Sequence, residues 1–192
     1  MPKKKVGILG GTFNPPHIGH LIMANEVYHA MSLDEVRFMP SQIPPHKKIA
    51  GGTTSEQRIR MIELSIADVS YFSLEQIEFE RSGPSYTFDT MMLLKQREPD
   101  VDFYFIIGGD MIDYLPKWYR IEELIREIKF IGIPRSGAMG ESHYSIHMVK
   151  SPMVDVSSTL LRERLKQGKN VSFLLPDAVS DFISKEGLYE SL

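Results

Sequence analysis

Apolar runs of strand length alternate along this chain with stretches whose apolar residues recur every three or four positions, so strands and helices take turns. Residues 4–9 predict a first strand, and residues 18–31 a helix in which Leu21, Ile22, Ala24, Val27 and Tyr28 share the buried side. A second strand is expected at 35–39, followed by a loop at 40–48 that its prolines keep irregular. Thr54-Ser55-Glu56-Gln57 has the spacing of a capping box and opens a helix carrying Ile59, Met61, Ile62, Leu64 and Ile66. Alternation over 71–79 predicts a strand, Ser82-Gly83-Pro84-Ser85 ends it, and a helix is expected at 87–96. The uninterrupted apolar run 103–107 reads as a central strand buried on both faces. A helix at 121–128 and strands at 129–133 and 146–149 follow. Helices at 158–167 and 176–186, stopped by Gly168 and Gly187, close the chain. This alternation predicts an α/β, Rossmann-like open parallel sheet with helices on both faces and a small C-terminal helical part. No repeat or linker divides it, so one domain over 1–192 is expected, with the C-terminal helices at about 157–187 packed on it.

In open parallel sheets, ligands bind beyond the carboxyl ends of the strands, where the strand order reverses. Four polar segments follow predicted strands: the one beginning Gly10-Gly11, Pro44-Pro45-His46-Lys47, Gly108-Gly109-Asp110, and Pro134-Arg135. The first, Gly10-Gly11-Thr12-Phe13-Asn14-Pro15-Pro16-His17-Ile18-Gly19-His20, is the most informative. Glycines at a strand end let a ligand approach bare backbone, and the helix beyond offers its free N–H groups to an anion. His17 and His20, three apart on the opening turn, project to the same side as donors to phosphate oxygens. The spacing matches neither GxxxxGK[ST] nor GxGxxG. Taken alone, the two histidines also suit surface or capping roles, or a metal pair that lacks a third ligand.

Composition narrows the classes. With 192 residues, 42% of them hydrophobic, the chain buries a real core, and a formal charge of −3 argues against a surface built to wrap nucleic acid. Absence of cysteine removes disulfides, thiolate nucleophiles and cysteine zinc sites, and suits a reducing compartment. Lys3-Lys4-Lys5 precedes an apolar run too short for a signal-peptide core, and no stretch is long enough to span a bilayer, so a cytoplasmic protein without a membrane partner is expected. Val156-Ser157-Ser158-Thr159-Leu160-Leu161-Arg162 is a second anion-ready segment, with hydroxyls at a helix start and an arginine one turn inside; in isolation an ordinary serine cap with a surface arginine is the better reading. His29, His46, His143 and His147 have no comparable setting and read as surface or loop residues.

His17-Ile18-Gly19-His20 resembles the HxGH signature of the nucleotidyltransferase superfamily related to class I aminoacyl-tRNA synthetases. With Pro44-Pro45-His46-Lys47, Ser82-Gly83-Pro84-Ser85-Tyr86-Thr87-Phe88-Asp89-Thr90, Gly108-Gly109-Asp110, Trp118-Tyr119-Arg120 and Val156-Ser157-Ser158-Thr159, nearly the whole chain resembles the bacterial nicotinate-mononucleotide adenylyltransferase family. That resemblance implies that ATP and nicotinate mononucleotide are joined to give deamido-NAD and pyrophosphate, with Mg²⁺ brought on the ATP phosphates and no metal cage in the protein. It implies catalytic roles for His20, His17 and Arg162, and further ATP contacts from Gly10, Gly11, Thr12, Phe13, Gly108, Asp110, Ile133, Arg135, Ser158 and Thr159. For nicotinate mononucleotide it implies Asn14, Lys47, Tyr86, Thr87, Gly109, Asp110, Trp118 and Tyr119, with Trp118 stacked on the pyridine ring and Tyr86 and Thr87 at its carboxylate. Read alone, Trp118 also suits a core anchor, Asp110 a helix cap, and Lys47 a solvated loop residue. Three alternatives share the first motif or the fold: phosphopantetheine as acceptor, in a family that is shorter and lacks the Ser-Gly-Pro-Ser-Tyr-Thr and Trp-Tyr-Arg elements; nicotinamide mononucleotide as acceptor; and a non-catalytic nucleotide sensor. No nucleic-acid partner is expected, and the apolar pattern leaves a homo-oligomer open.

Overall fold

Among the described residues six strands, β1 (Lys4–Gly11), β2 (Glu35–Pro40), β3 (Phe72–Leu74), β4 (Val101–Gly108), β5 (Lys129–Ile133) and β6 (Ile146–Met148), lie side by side in the order β3-β2-β1-β4-β5-β6. Every neighbouring pair is parallel. The computed structural model describes residues 2–44, 52–134 and 143–190. The order reverses between β1 and β4, the two longest strands, each of eight residues. Both end in glycine, at Gly10-Gly11 and at Gly108.

Side-chain alternation along the strands divides the core between the two faces of the sheet. Val6 and Ile8 of β1 join Phe103, Phe105 and Ile107 of β4 in one cluster, which α3 (Thr87–Arg97) covers with Phe88, Met91 and Leu94, and α5 (Ile121–Glu127) with Ile121 and Leu124. Leu9, Tyr104 and Ile106 belong to the opposite cluster, covered by Ala24 and Val27 of α1 (Ile18–Ala30) and by Ile62 and Ile66 of α2 (Ser55–Ile66). A third cluster joins Met61 of α2 to Leu161 of α6 (Ser158–Lys166) and to Val179 and Ile183 of α7 (Asp177–Glu186). One side of α2 therefore serves the sheet while a neighbouring side seats the C-terminal helices. The short helix α4 (Gly109–Ile112) and a 3₁₀ turn at Leu115–Lys117 complete the β4 to α5 connection.

The fold is the doubly covered parallel sheet expected from the alternation of apolar patterns. The expected strand at 71–79 is a correction: β3 ends at Leu74, and Ile77–Phe79 forms a 3₁₀ turn. Glu75 makes the last ladder bond, its amide donating to the Phe38 carbonyl at 2.9 Å, and its side chain then turns the chain. One of its oxygens accepts from the Ile77 amide at 3.0 Å, and the other takes Arg37 at 3.2 Å and Arg97. Those ion pairs, distant in sequence, turn the chain where the alternation would have continued it.

Candidate active site

The carboxyl ends of β1 and β4 open into a cleft of about 990 Å³. Gly10, Gly11, Thr12, His17, Gly19 and His20 line it from the β1–α1 segment; Gly108 and Ile133 from the ends of β4 and β5; and Tyr86, Thr87, Trp118 and Tyr119 from the α3 and α5 connections. Much of the remaining wall is apolar, with Met23, Met39, Met111 and Met153 among its side chains. Glycine is required at the strand end because a Cβ on Gly10 would come within 2.9 Å of the Phe105 ring, packed across from β4. At Gly19 a Cβ would press on the imidazole of His17, at 3.1 Å.

His17 is the residue before the first turn of α1, and its extended backbone aims its N–H at the His20 ring. That N–H donates to His20 Nδ1 at 3.2 Å, and the two rings stack with centroids 3.7 Å apart. A ring nitrogen that accepts carries no proton, so the neutral His20 ring holds its hydrogen on Nε2. The sequence motif thus builds one imidazole whose main-chain contact fixes the tautomer and leaves Nε2–H as a donor. The edge of Phe13 supports the same ring, with centroids 5.0 Å apart.

A second set of residues stands behind this wall rather than in it. Phe13 is buried in the core with its backbone left-handed, at φ 49°. Asn14 is 2% exposed. The α6 residues expected to face the ligand turn toward the same loop: Ser158 Oγ donates to the Pro15 carbonyl at 2.8 Å, and Arg162 donates to the Asn14 carbonyl at 2.7 Å and to Thr159 Oγ1 at 3.2 Å. The cap of α6 is Ser157, which accepts from the Leu160 amide. Lys47, Arg135 and the side chain of Asp110 lie outside the described residues.

On the α3 side, Tyr86 is the residue before the helix and makes no capping bond with its side chain, and the Tyr119 ring packs on it at 4.7 Å. Trp118 does two things at once. Its ring packs edgewise on Phe105 and Phe130, at 5.8 Å and 6.1 Å, while the residue also borders the cleft. Its buried Nε1 has no hydrogen-bond partner among the described residues. The loop after β2 is stitched to the α3 start by the Ser85 amide donating to the Ile43 carbonyl, at 2.9 Å, and by the Ile43 amide donating to Ser85 Oγ, at 3.1 Å.

Residues 8–164 match the cytidylyltransferase-like family. A Bacillus cytotoxicus protein named "probable nicotinate-nucleotide adenylyltransferase" is 54% identical over 188 residues, which cover 98% of this chain and 100% of that protein. The Bacillus subtilis nicotinate-nucleotide adenylyltransferase is 53% identical with the same coverage. This chain belongs to that family of adenylyltransferases. The fold agrees: the solved Plasmodium falciparum nicotinic acid mononucleotide adenylyltransferase complexed with NaAD superposes with a TM-score of 0.77, at 22% identity, covering 97% of each chain.

Two residues escape the sequence reading, Arg58 behind the cleft wall and Glu78 in it. Arg58, fully buried, donates to the carbonyls of Thr12 at 3.0 Å and Ser41 at 2.8 Å, and so ties the β1–α1 and β2–α2 loops together. Burial pushes its guanidinium below the ordinary arginine range, against the attraction of charges on Glu56 and Glu78. The signal was available, because position 58 shares a helix face with Met61, Ile62 and Ser65, all buried. Glu78, also buried, borders the cleft and accepts from Thr90 Oγ1 at 3.0 Å and from the Gln42 amide at 3.3 Å. Its signal was hidden by the strand expected at 71–79, in which alternation places Ile77 and Glu78 on opposite faces.

Proposed function

We propose that this chain transfers the adenylyl group of ATP to nicotinate mononucleotide, giving deamido-NAD and pyrophosphate. One observation carries the reading beside the family membership: the glycine and histidine turn at β1 and the aromatic α3 side open on the same cleft, so a triphosphate and a pyridine mononucleotide share one volume. In the reaction, a phosphate oxygen of the mononucleotide attacks the α-phosphorus of ATP. The bond from that phosphorus to the bridging oxygen breaks, and pyrophosphate leaves with the electron pair. Nε2–H of His20 donates to the phosphoryl oxygens as charge builds on them, and His17 fixes that ring. The bare backbone at Gly10 and Gly11 accepts the phosphates, with Gly108 and Ile133 at the ATP end, while Ser158 and Arg162, the latter bonded to Thr159, hold the Asn14–Pro15 main chain behind that wall. Free N–H groups at the start of α3, beside Tyr86 and Thr87, receive the pyridine carboxylate. Trp118 offers its ring face to the heterocycle, Asp110 accepts from ribose hydroxyls, and Lys47 clamps the mononucleotide phosphate.

Magnesium arrives on the nucleotide and neutralises phosphate charge. Among the described residues no group of three or more His, Cys, Asp or Glu could hold an ion. No described helix is long and apolar enough to cross a membrane, and a cysteine-free sequence suits the cytoplasm.

Incubation with ATP, Mg²⁺ and nicotinate mononucleotide tests the reading. Pyrophosphate release is expected, faster than with nicotinamide mononucleotide, and a chiral α-phosphorus should emerge inverted. Nucleotide binding without pyrophosphate would point to a sensor, and retention at phosphorus would overturn the single displacement.

A further inference from the structure

Beyond α7 the chain reverses through Gly187, at φ 61°, and Tyr189, at φ 65°. The left-handed conformation is costly for a tyrosine and persists only where the surroundings over-determine it. Here they do. The Tyr189 ring is 8% exposed within the third core cluster, and its hydroxyl donates to Asn14 Oδ1 at 2.6 Å, across 175 positions of sequence. Burial pushes that hydroxyl up to about 12, so it remains a protonated donor throughout the working pH range.

We infer that Tyr189 is a positioning residue for the phosphate-binding turn, acting through the side chain of Asn14. This inference rests on the adenylyl-transfer reading of the same site. Asn14 directly follows Phe13, the other strained residue here, and the edge of the Phe13 ring supports the His20 imidazole. Tyr189 is thus linked by its bond to Asn14, through the adjacent Phe13, to the ring of His20, running from the segment beyond α7 to the hydrogen-bond donor. Other C-terminal groups hold the loop by its main chain: Ser158 at Pro15, Arg162 at Asn14, and the Leu174 carbonyl, which accepts from the Ile18 amide at 3.0 Å. Tyr189 differs from these in gripping a side chain, and deleting one oxygen removes its contribution.

The test compares the full-length Tyr189→Phe variant with the parent chain. Expected is a roughly five- to tenfold fall in kcat, counted per ATP-binding site by calorimetry, with KM for both substrates within about twofold, because geometry rather than affinity is lost. Amide hydrogen exchange should quicken over residues 12–20 and stay unchanged in α7. Parental kcat in the variant overturns the inference. Faster exchange through α7 and the C-terminal cluster, with the loop unaltered, also overturns it, since the hydroxyl would then serve only local packing. If the parent chain itself releases no pyrophosphate, the functional reading fails, while the exchange comparison still decides whether Tyr189 holds the loop.

Discussion

Two inward-facing arginines of this fold are treated in opposite ways. Arg37, on β2, is surrounded by carboxylates: Glu35 at 3.2 Å, Glu75 at 3.2 Å and Glu98 at 2.6 Å. Arg58, beneath the β1–α1 turn, forms no ion pair among the described residues and spends its hydrogens on the Thr12 and Ser41 carbonyls and on Ser55 Oγ. A neutralised knot holds a scaffold and offers little field to a ligand. A guanidinium whose hydrogen bonds go only to neutral groups, with Glu56 and Glu78 acting on it as charges without pairing, is less neutralised than Arg37, and from behind the cleft wall its field favours an anionic ligand. The scaffold end pairs its arginine with carboxylates, while the one behind the cleft is left without an ion pair among the described residues.

The largest expected break in this comparison lies at the donor itself. His20→Ala should lower kcat by about 10²–10³ while ATP affinity and thermal midpoint stay near parental values; steady-state kinetics with calorimetric ATP titration checks it. The two arginines come next. Arg37→Met removes the central cation and leaves Glu35 to Lys4 and Glu75 and Glu98 to Arg97 alone, and should cost about 3 kcal/mol, roughly 6–12 °C in Tm, with kcat and KM of the folded enzyme within twofold of the parent. Arg58→Met should also destabilise, but its signature is a rise of about tenfold in KM for ATP. Equal kinetic effects from the two substitutions, measured well below both midpoints, would erase the distinction drawn here.

The smallest effect is on acid stability. Burial alone would raise the Glu35 carboxyl, but bonds from Lys4, Ser73 and Arg37 outweigh it and bring the group from an ordinary 4.5 down to about 2. A depressed carboxyl stabilises the fold above its unfolded-state value, and the benefit disappears as pH falls from about 4.5 toward 2. Glu35→Gln should flatten that part of the stability profile in denaturant titrations at stepped pH, with little change at pH 7 in activity.

What the sequence makes legible is local. The Thr54–Gln57 box forms both of its bonds, at 3.0 Å and 3.2 Å, because each joins residues three apart on one turn. Strand β5 and the start of α3 fall where apolar period and turn residues agree. Long-range pairing is what stays hidden. The end of β3 depends on Arg37 and Arg97 reaching Glu75, and the inward turn of Ser158 and Arg162 depends on a loop more than 140 positions earlier. Within the site, the glycines and histidines of one contiguous motif could be grouped from sequence alone. Arg58 and Tyr189 reach that motif only through the packing of α2, α6 and α7.

Thioethers line the cleft at Met23, Met39, Met111 and Met153, the last of them 68% exposed, in a chain without cysteine. With no thiol to react first, peroxide acts on sulfur atoms within the substrate's own walls, and sulfoxide formation there would place polar, chiral groups where a flat apolar surface is needed. Oxidant damage to this enzyme should therefore appear as lost turnover before lost structure, and methionine sulfoxide reductase should restore it.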